Sequence, residues 1–172
     1  YLVQRALSTD LLPADKASQA NAVLFDIQTD QLPDVRTLLS AHALPVMQEV
    51  PMVTMRLASI KGVTPEKLLK DPNRPIPSWV LRREYRSTHR PRLIDGEVSL
   101  AGKWPARSTS SDVFPISVEE GIAKDLKVAL GDELQFDVQG VSVKTVVANL
   151  RKVDWRRMQP NFFFIFPPKA LE

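Results

Sequence analysis

Residues Ser117 to Trp155 read SVEEGIAKDLKVALGDELQFDVQGVSVKTVVANLRKVDW, a predicted helix passed through a tight turn into an antiparallel β ribbon. Ser117 with Glu120 three residues on has the form of a capping box, which satisfies amide donors at a helix start. Val118, Ile122, Leu126 and Leu130 recur every four residues and lay one apolar stripe along that helix. Gly131 is expected to end it. From there the period drops to two, with Leu134, Phe136 and Val138 on one face and Glu133, Gln135, Asp137 and Gln139 on the other. Gln139-Gly140 makes the hairpin turn. In the second strand Val141, Val143, Thr145 and Val147 share a face, yet Val146, Ala148 and Leu150 put apolar groups on the other. This predicts a bulge near Val146 or burial of both faces.

The chain has 172 residues, 44% hydrophobic and 25% charged, the composition of an ordinary globular protein long enough to bury a real core. Its net charge is +3, too small to imply nucleic acid. The charge is local, however. Between Arg74 and Arg107 eight Lys and Arg face only Glu84, Asp95 and Glu97. The absence of cysteine removes disulfides, Cys-based zinc sites and thiol chemistry. No apolar run approaches the ~18–20 residues that span a bilayer. A start at Tyr1 rather than methionine marks a processed product or an excised piece.

Outside the ribbon, Leu2 to Leu12 has helical spacing and an amphipathic pattern. Ala22 to Ile27 has strand character. Asp30 to Ala43 reads as a helix with Pro33 in its first turn and Val35, Leu38, Leu39 and His42 inside. Val46 to Ile60 is extended. Strand, helix and strand predict a βαβ unit with a parallel pair. Pro65, Pro72, Pro75 and Pro77 then mark an exit, with one helical turn from Pro65 to Lys70. Trp79 to Thr88 reads as a strand, Ser108 to Asp112 as a loop, and Asn161 to Pro168 as a strand buried on both faces. Lys169 to Glu172 begins a helix, so the sequence is expected to stop inside a second half-unit.

Chemistry is sparse. His42 and His89 lie apart and have no metal-ligand spacing. Gly96 to Trp104 resembles a phosphate loop, but five residues separate its glycines and Trp104 stands where magnesium needs Ser or Thr. Asp10, Asp15, Asp26 and Asp30 are read as helix-end or turn residues, although one sequence does not show spatial pairs. Met47, Met52 and Met55 read as core filling, with an adaptable binding surface as the alternative. Arg82, Arg83, Arg86, Arg90 and Arg92 have several readings: a solvated face, protection of a sheet edge, or a surface for anionic lipid or an acidic partner. No RRM, KH or helix-turn-helix pattern accompanies them.

The order of elements resembles the extracytoplasmic domains of MacB/LolC/FtsX-type ABC transporter permeases. VEEGIAKDLKVALGDELQFDVQG and VLFDIQTDQ carry the match. NFFFIFPPKALE and VLRREYRSTHRPRL are similar to the YbbP-like branch of predicted permeases. The resemblance implies an α+β fold, a porter-like βαβ half-unit with an inserted small β-rich, sabre-like subdomain. Residues 1–16 would then be a stalk-like helix, 17–62 the porter-like part, 63–158 the insert, and 159–172 a truncated return strand. It further implies a non-catalytic periplasmic domain at the bacterial inner membrane, with no cofactor, metal or nucleic acid. Such a domain couples movement driven by a cytoplasmic ATPase to export or transfer of a hydrophobic substrate, or to a periplasmic protein. A second permease subunit or copy would be its membrane partner. The alternatives are a stand-alone binding module for an acidic partner or lipid surface, using Arg82–Arg92, and an enzyme with a scattered carboxylate pair.

Overall fold

The computed structural model describes residues 22–106, 112–157, 159–168 and 170–171. The chain divides into two compact units, Tyr1–Glu49 and Val50–Glu172. In the first, α1 (Leu32–Ala41) carries Pro33 in its opening turn and Asp34 beside it, where a missing amide and a negative charge both suit a helix start. Leu32, Val35 and Leu39 are half-buried, but Leu38 and His42 are exposed and no residue of the helix is fully buried. Arg36 forks onto Glu49 with contacts of 2.6 and 3.0 Å, tying α1 to the extended segment after it. The predicted helix over Leu2–Leu12 lies outside the described residues.

The second unit contains β1 (Val53–Ile60), α2 (Pro65–Lys70), α3 (Ser78–Arg82), β2 (Tyr85–His89), β3 (Glu97–Gly102), β4 (Val113–Glu119), α4 (Glu120–Leu126), β5 (Glu133–Val138), β6 (Val141–Val153) and β7 (Phe164–Phe166). Six strands close a ring in the order β1, β2, β7, β4, β6, β5 and back to β1. The pairs β2–β7 and β4–β6 are parallel, and the others are antiparallel. Closure leaves the ring without a free edge. The long β6 serves two neighbours on one side, pairing with β5 through Val146 and with β3 from Asn149 onward.

Aromatic packing fills the ring. Phe164 meets Tyr85 and Phe136 edge-on at 5.0 and 4.9 Å, and Phe136 meets Phe166 at 5.6 Å, the offset geometry that aromatic quadrupoles favour. Met55, Leu57, Ile116, Val118, Leu134 and Val147 complete the barrel core, with Ile122 and Leu126 of α4 packed into it. The Tyr85 hydroxyl donates to the Val80 carbonyl at 2.7 Å, so the one polar atom of this buried ring is satisfied. Burial holds its pKa above the ordinary value, with Arg83 pulling it down and Asp125 pushing it up. A raised folded-state pKa gives stability that is complete below the unfolded value of ~10 and lost as pH rises past it. The urea midpoint should therefore fall more steeply above that pH in the wild type than in Tyr85→Phe; parallel curves would refute this.

The α+β class and the ribbon are as expected. Leu134 and Phe136 are buried, Glu133 and Asp137 exposed, and the Gln139-Gly140 turn has φ of 52° and 88°, the left-handed pair of a two-residue hairpin. Asn161–Pro168 contains the doubly buried β7, and Pro65–Lys70 is helical.

Other elements differ. Ser117 is not a helix cap; it lies in β4, where its hydroxyl donates to Asn149 at 2.6 Å. The cap is Glu119, whose carboxylate accepts from the Ile122 amide at 2.9 Å. The helix ends at Lys127 in the left-handed region, before Gly131. Trp79–Thr88 is not one strand, because α3 occupies Ser78–Arg82 and only Tyr85–His89 pairs. Residues 22–28 form no strand, and β1 pairs antiparallel on both sides. The expected parallel βαβ pair is therefore missing among the described residues. The two compact units divide after Glu49, and β7 is a stave of the barrel. Met55 is core, whereas Met47 and Met52 are exposed.

The predicted bulge in β6 is present at Ala148, two residues beyond Val146. Ile116 pairs with Val147 and Ser117 with Asn149, so Ala148 is the extra residue. One inserted residue exchanges the faces of a strand. Val143, Thr145 and Val147 point into the barrel, and Asn149 and Arg151 join Ser117 and Glu119 on the other face. That face is also buried.

Candidate functional site

Two groups of residues merit a chemical reading: the buried polar layer beyond the bulge and the surface arginines. In the first, Arg151 is fully buried. Its Nε donates to Glu97 at 3.2 Å and its Nη1 to the Ser117 carbonyl at 2.8 Å and the Phe163 carbonyl at 3.3 Å; Nη2 donates to the Phe162 carbonyl. Glu97 also accepts from Arg90 at 2.6 Å and from the Ile94 amide at 3.2 Å. Asn149 donates to Ser99 at 2.7 Å and to the Ala101 carbonyl at 2.9 Å. The layer ties β3, β4 and β6 to the segment leading into β7.

Burial lowers the Arg151 guanidinium to about 10, against the pull of Glu97, so it stays charged at neutral pH. Burial likewise lowers Arg90, and Glu97 opposes that. A fully buried guanidinium whose three nitrogens all donate, to three carbonyls and a carboxylate, is closed to a substrate. This is a structural lock.

The five sequence-predicted arginines are dispersed by the fold. Arg82, Arg86 and Arg92 are exposed. Arg83 is half-buried over three aromatic rings. Arg90 turns inward onto Glu97, leaving little of its side chain accessible, so it leaves the set of surface candidates. Strand alternation accounts for part of this, since Tyr85 and Ser87 of β2 are buried while Arg86 between them is not.

His42 follows α1 on the surface, and His89 ends β2 half-buried. No group of three or more His, Cys, Asp or Glu among the described residues could hold a metal. Most of the near-phosphate loop, Gly96–Trp104, is strand β3, whose amides pair with β6 instead of cradling an anion. A shallow groove of about 380 Å3 lies between Leu100, Leu150, Ala123 and Val128 with Lys124, Lys127 and Glu120 around it. Among the described residues no helix is long and apolar enough to cross a membrane.

No family model and no solved structure matches the chain. Over 152 residues it is 34% identical to YbbP of Escherichia coli (strain K12), an uncharacterized ABC transporter permease. The alignment covers 88% of this chain and 17% of that protein, so the chain spans a minor part of its relative's length. By that relationship the chain is an ABC transporter permease-related domain.

Proposed function

We propose that this domain is the extracytoplasmic part of an ABC-type permease and couples ATP-driven movement of membrane helices to an event outside the cytoplasm. That event is export or transfer of a hydrophobic substrate, or engagement of a periplasmic protein. The observation that carries the reading is the relationship to a permease along nearly the whole chain. The barrel supports it physically. A ring without free edges, braced by Arg151 and Glu97, resists shear and moves as a body, which suits a part that relays displacement. In this reading the barrel is the sabre-like insert and residues 22–49 belong to the porter-like part. Val23, Leu24, Phe25, Leu44, Val46 and Met47, all exposed, would be covered by neighbouring chain of the whole permease. A cytoplasmic ATPase and a second permease subunit or copy complete the assembly.

The absence of cysteine makes the sidedness directly testable. Lys144, exposed on β6, is changed to cysteine in the whole permease, with its other cysteines removed. A membrane-impermeant maleimide should label Lys144→Cys in spheroplasts. Labelling that requires permeabilised membranes would reverse the assignment.

A further inference from the structure

Two tryptophans stand half out of the barrel on one surface. Trp79 of α3 and Trp155 just beyond β6 are each 47% exposed, and large exposed apolar side chains are the informative exception on a protein surface. They are connected. The Arg83 guanidinium lies 5.3 Å from the Trp79 ring, 5.1 Å from Tyr85 and 4.7 Å from Phe163. Phe163 in turn lies 5.0 Å from Trp155. The run Trp79, Arg83, Phe163, Trp155 is thus continuous and is backed by the fully buried Tyr85. Cation–π contacts hold the arginine in place at three rings.

The charge around this run is mixed, with arginine in excess. Arg82 and Arg83 adjoin Trp79, and Arg156 and Arg157 follow Trp155, with the Arg156 side chain 93% exposed. The acids nearby are Asp154, which reaches Arg156 and Arg157 at 3.4 and 3.9 Å, and Asp125, which acts on Tyr85. Glu84 is engaged by Arg56 at 2.5 Å. Indoles sit at the headgroup level of a bilayer, and arginines are drawn to anionic headgroups. We propose that this surface binds an anionic lipid bilayer, with Trp79 and Trp155 entering the interface and Arg82, Arg83, Arg156 and Arg157 meeting lipid phosphates. Charge complementarity selects that partner, and the relationship to a permease provides a membrane for it to meet. Of the proposed function the inference takes only the relationship to a permease, and neither the side of the membrane nor the coupling role enters it.

The test uses the full chain with vesicles of phosphatidylglycerol and phosphatidylcholine in equal amounts, and with phosphatidylcholine alone. Sedimentation with the anionic vesicles only, a blue shift of tryptophan emission and reversal by salt are expected. Trp79→Ala with Trp155→Ala should remove the shift. Arg156→Gln, at a side chain exposed enough to leave the thermal midpoint unchanged, should weaken binding roughly fivefold, the effect of one cation near an anionic surface. No sedimentation, equal binding to neutral vesicles, or a shift that survives loss of both tryptophans would overturn the proposal. So would an emission shift produced by polyglutamate and not by vesicles, which would assign the surface to an acidic protein.

Discussion

Arg151→Met is expected to lower the stability of the barrel by about 3–5 kcal/mol, the usual cost of removing one partner from a buried ion pair. Methionine reaches about as far as the arginine Nε and fills much of the side chain's volume, so the loss is chiefly electrostatic. Glu97, whose side chain is fully buried, would keep only Arg90 and the Ile94 amide. The Ser117, Phe162 and Phe163 carbonyls would lose the guanidinium donors that now reach them; Phe163 keeps the Glu119 amide, but a buried acceptor left with no donor costs about 1–3 kcal/mol. Arg151→Lys should be little better, because an ammonium does not reproduce the planar fork that reaches four acceptors. Urea denaturation reads the effect. Adding Glu97→Leu and Arg90→Met to Arg151→Met should recover part of the loss, since removing all three charges of the cluster also removes the desolvation they incur. A loss below about 1 kcal/mol in Arg151→Met, the range of ordinary surface changes, would mean the layer is not a lock.

The second large effect is expected at Phe164. Truncation of a buried phenylalanine to alanine costs about 3–5 kcal/mol through lost transfer energy and the cavity it leaves. Phe164 should lie at the upper end of that range, because it touches both Tyr85 and Phe136. Its strand has three residues, all buried, and hydrogen bonds to β4 on one side and β2 on the other. Neighbouring strands cannot close the gap without leaving the ring. Against a typical domain stability of about 5–15 kcal/mol, Phe164→Ala should shift the urea midpoint strongly. Val141→Ala, at a side chain 64% exposed, should stay within about 0.5 kcal/mol. Equal shifts for the two would remove the basis for placing the core at β7.

The ribbon was legible because its period is two and its turn chemistry is local. β7 was legible because five consecutive large apolar residues admit little else. Ser117–Glu120 misled for a physical reason. A capping box and the end of a strand have the same local sequence here, and the choice between them depends on Asn149, 32 residues away, which takes the Ser117 hydroxyl. Trp79–Thr88 misled because alternation of arginines looks like a strand face, whereas Val80 and Leu81 are buried side by side on a helical turn. The buried layer was missed altogether. Its trace in the sequence is Asn149 and Arg151 set into a strand apolar on both faces, a pattern that calls for buried partners. Glu97, 54 residues before Arg151, carries no mark of the pairing. Of the five arginines, Arg83 alone stacks on the aromatic rings, and Trp155 comes to that surface from a segment with no sequence link to Trp79.

The position of β7 bears on how the domain is made. It comes last in chain order among the described strands of the ring, and it sits between β4 and β2. All the other staves leave the ribosome before Phe164 does. Until it arrives, β2 and β4 each present an open row of amides and carbonyls, available to any extended chain nearby. The ring cannot close until β7 has emerged, and the interval before it is when the nascent chain most needs protection.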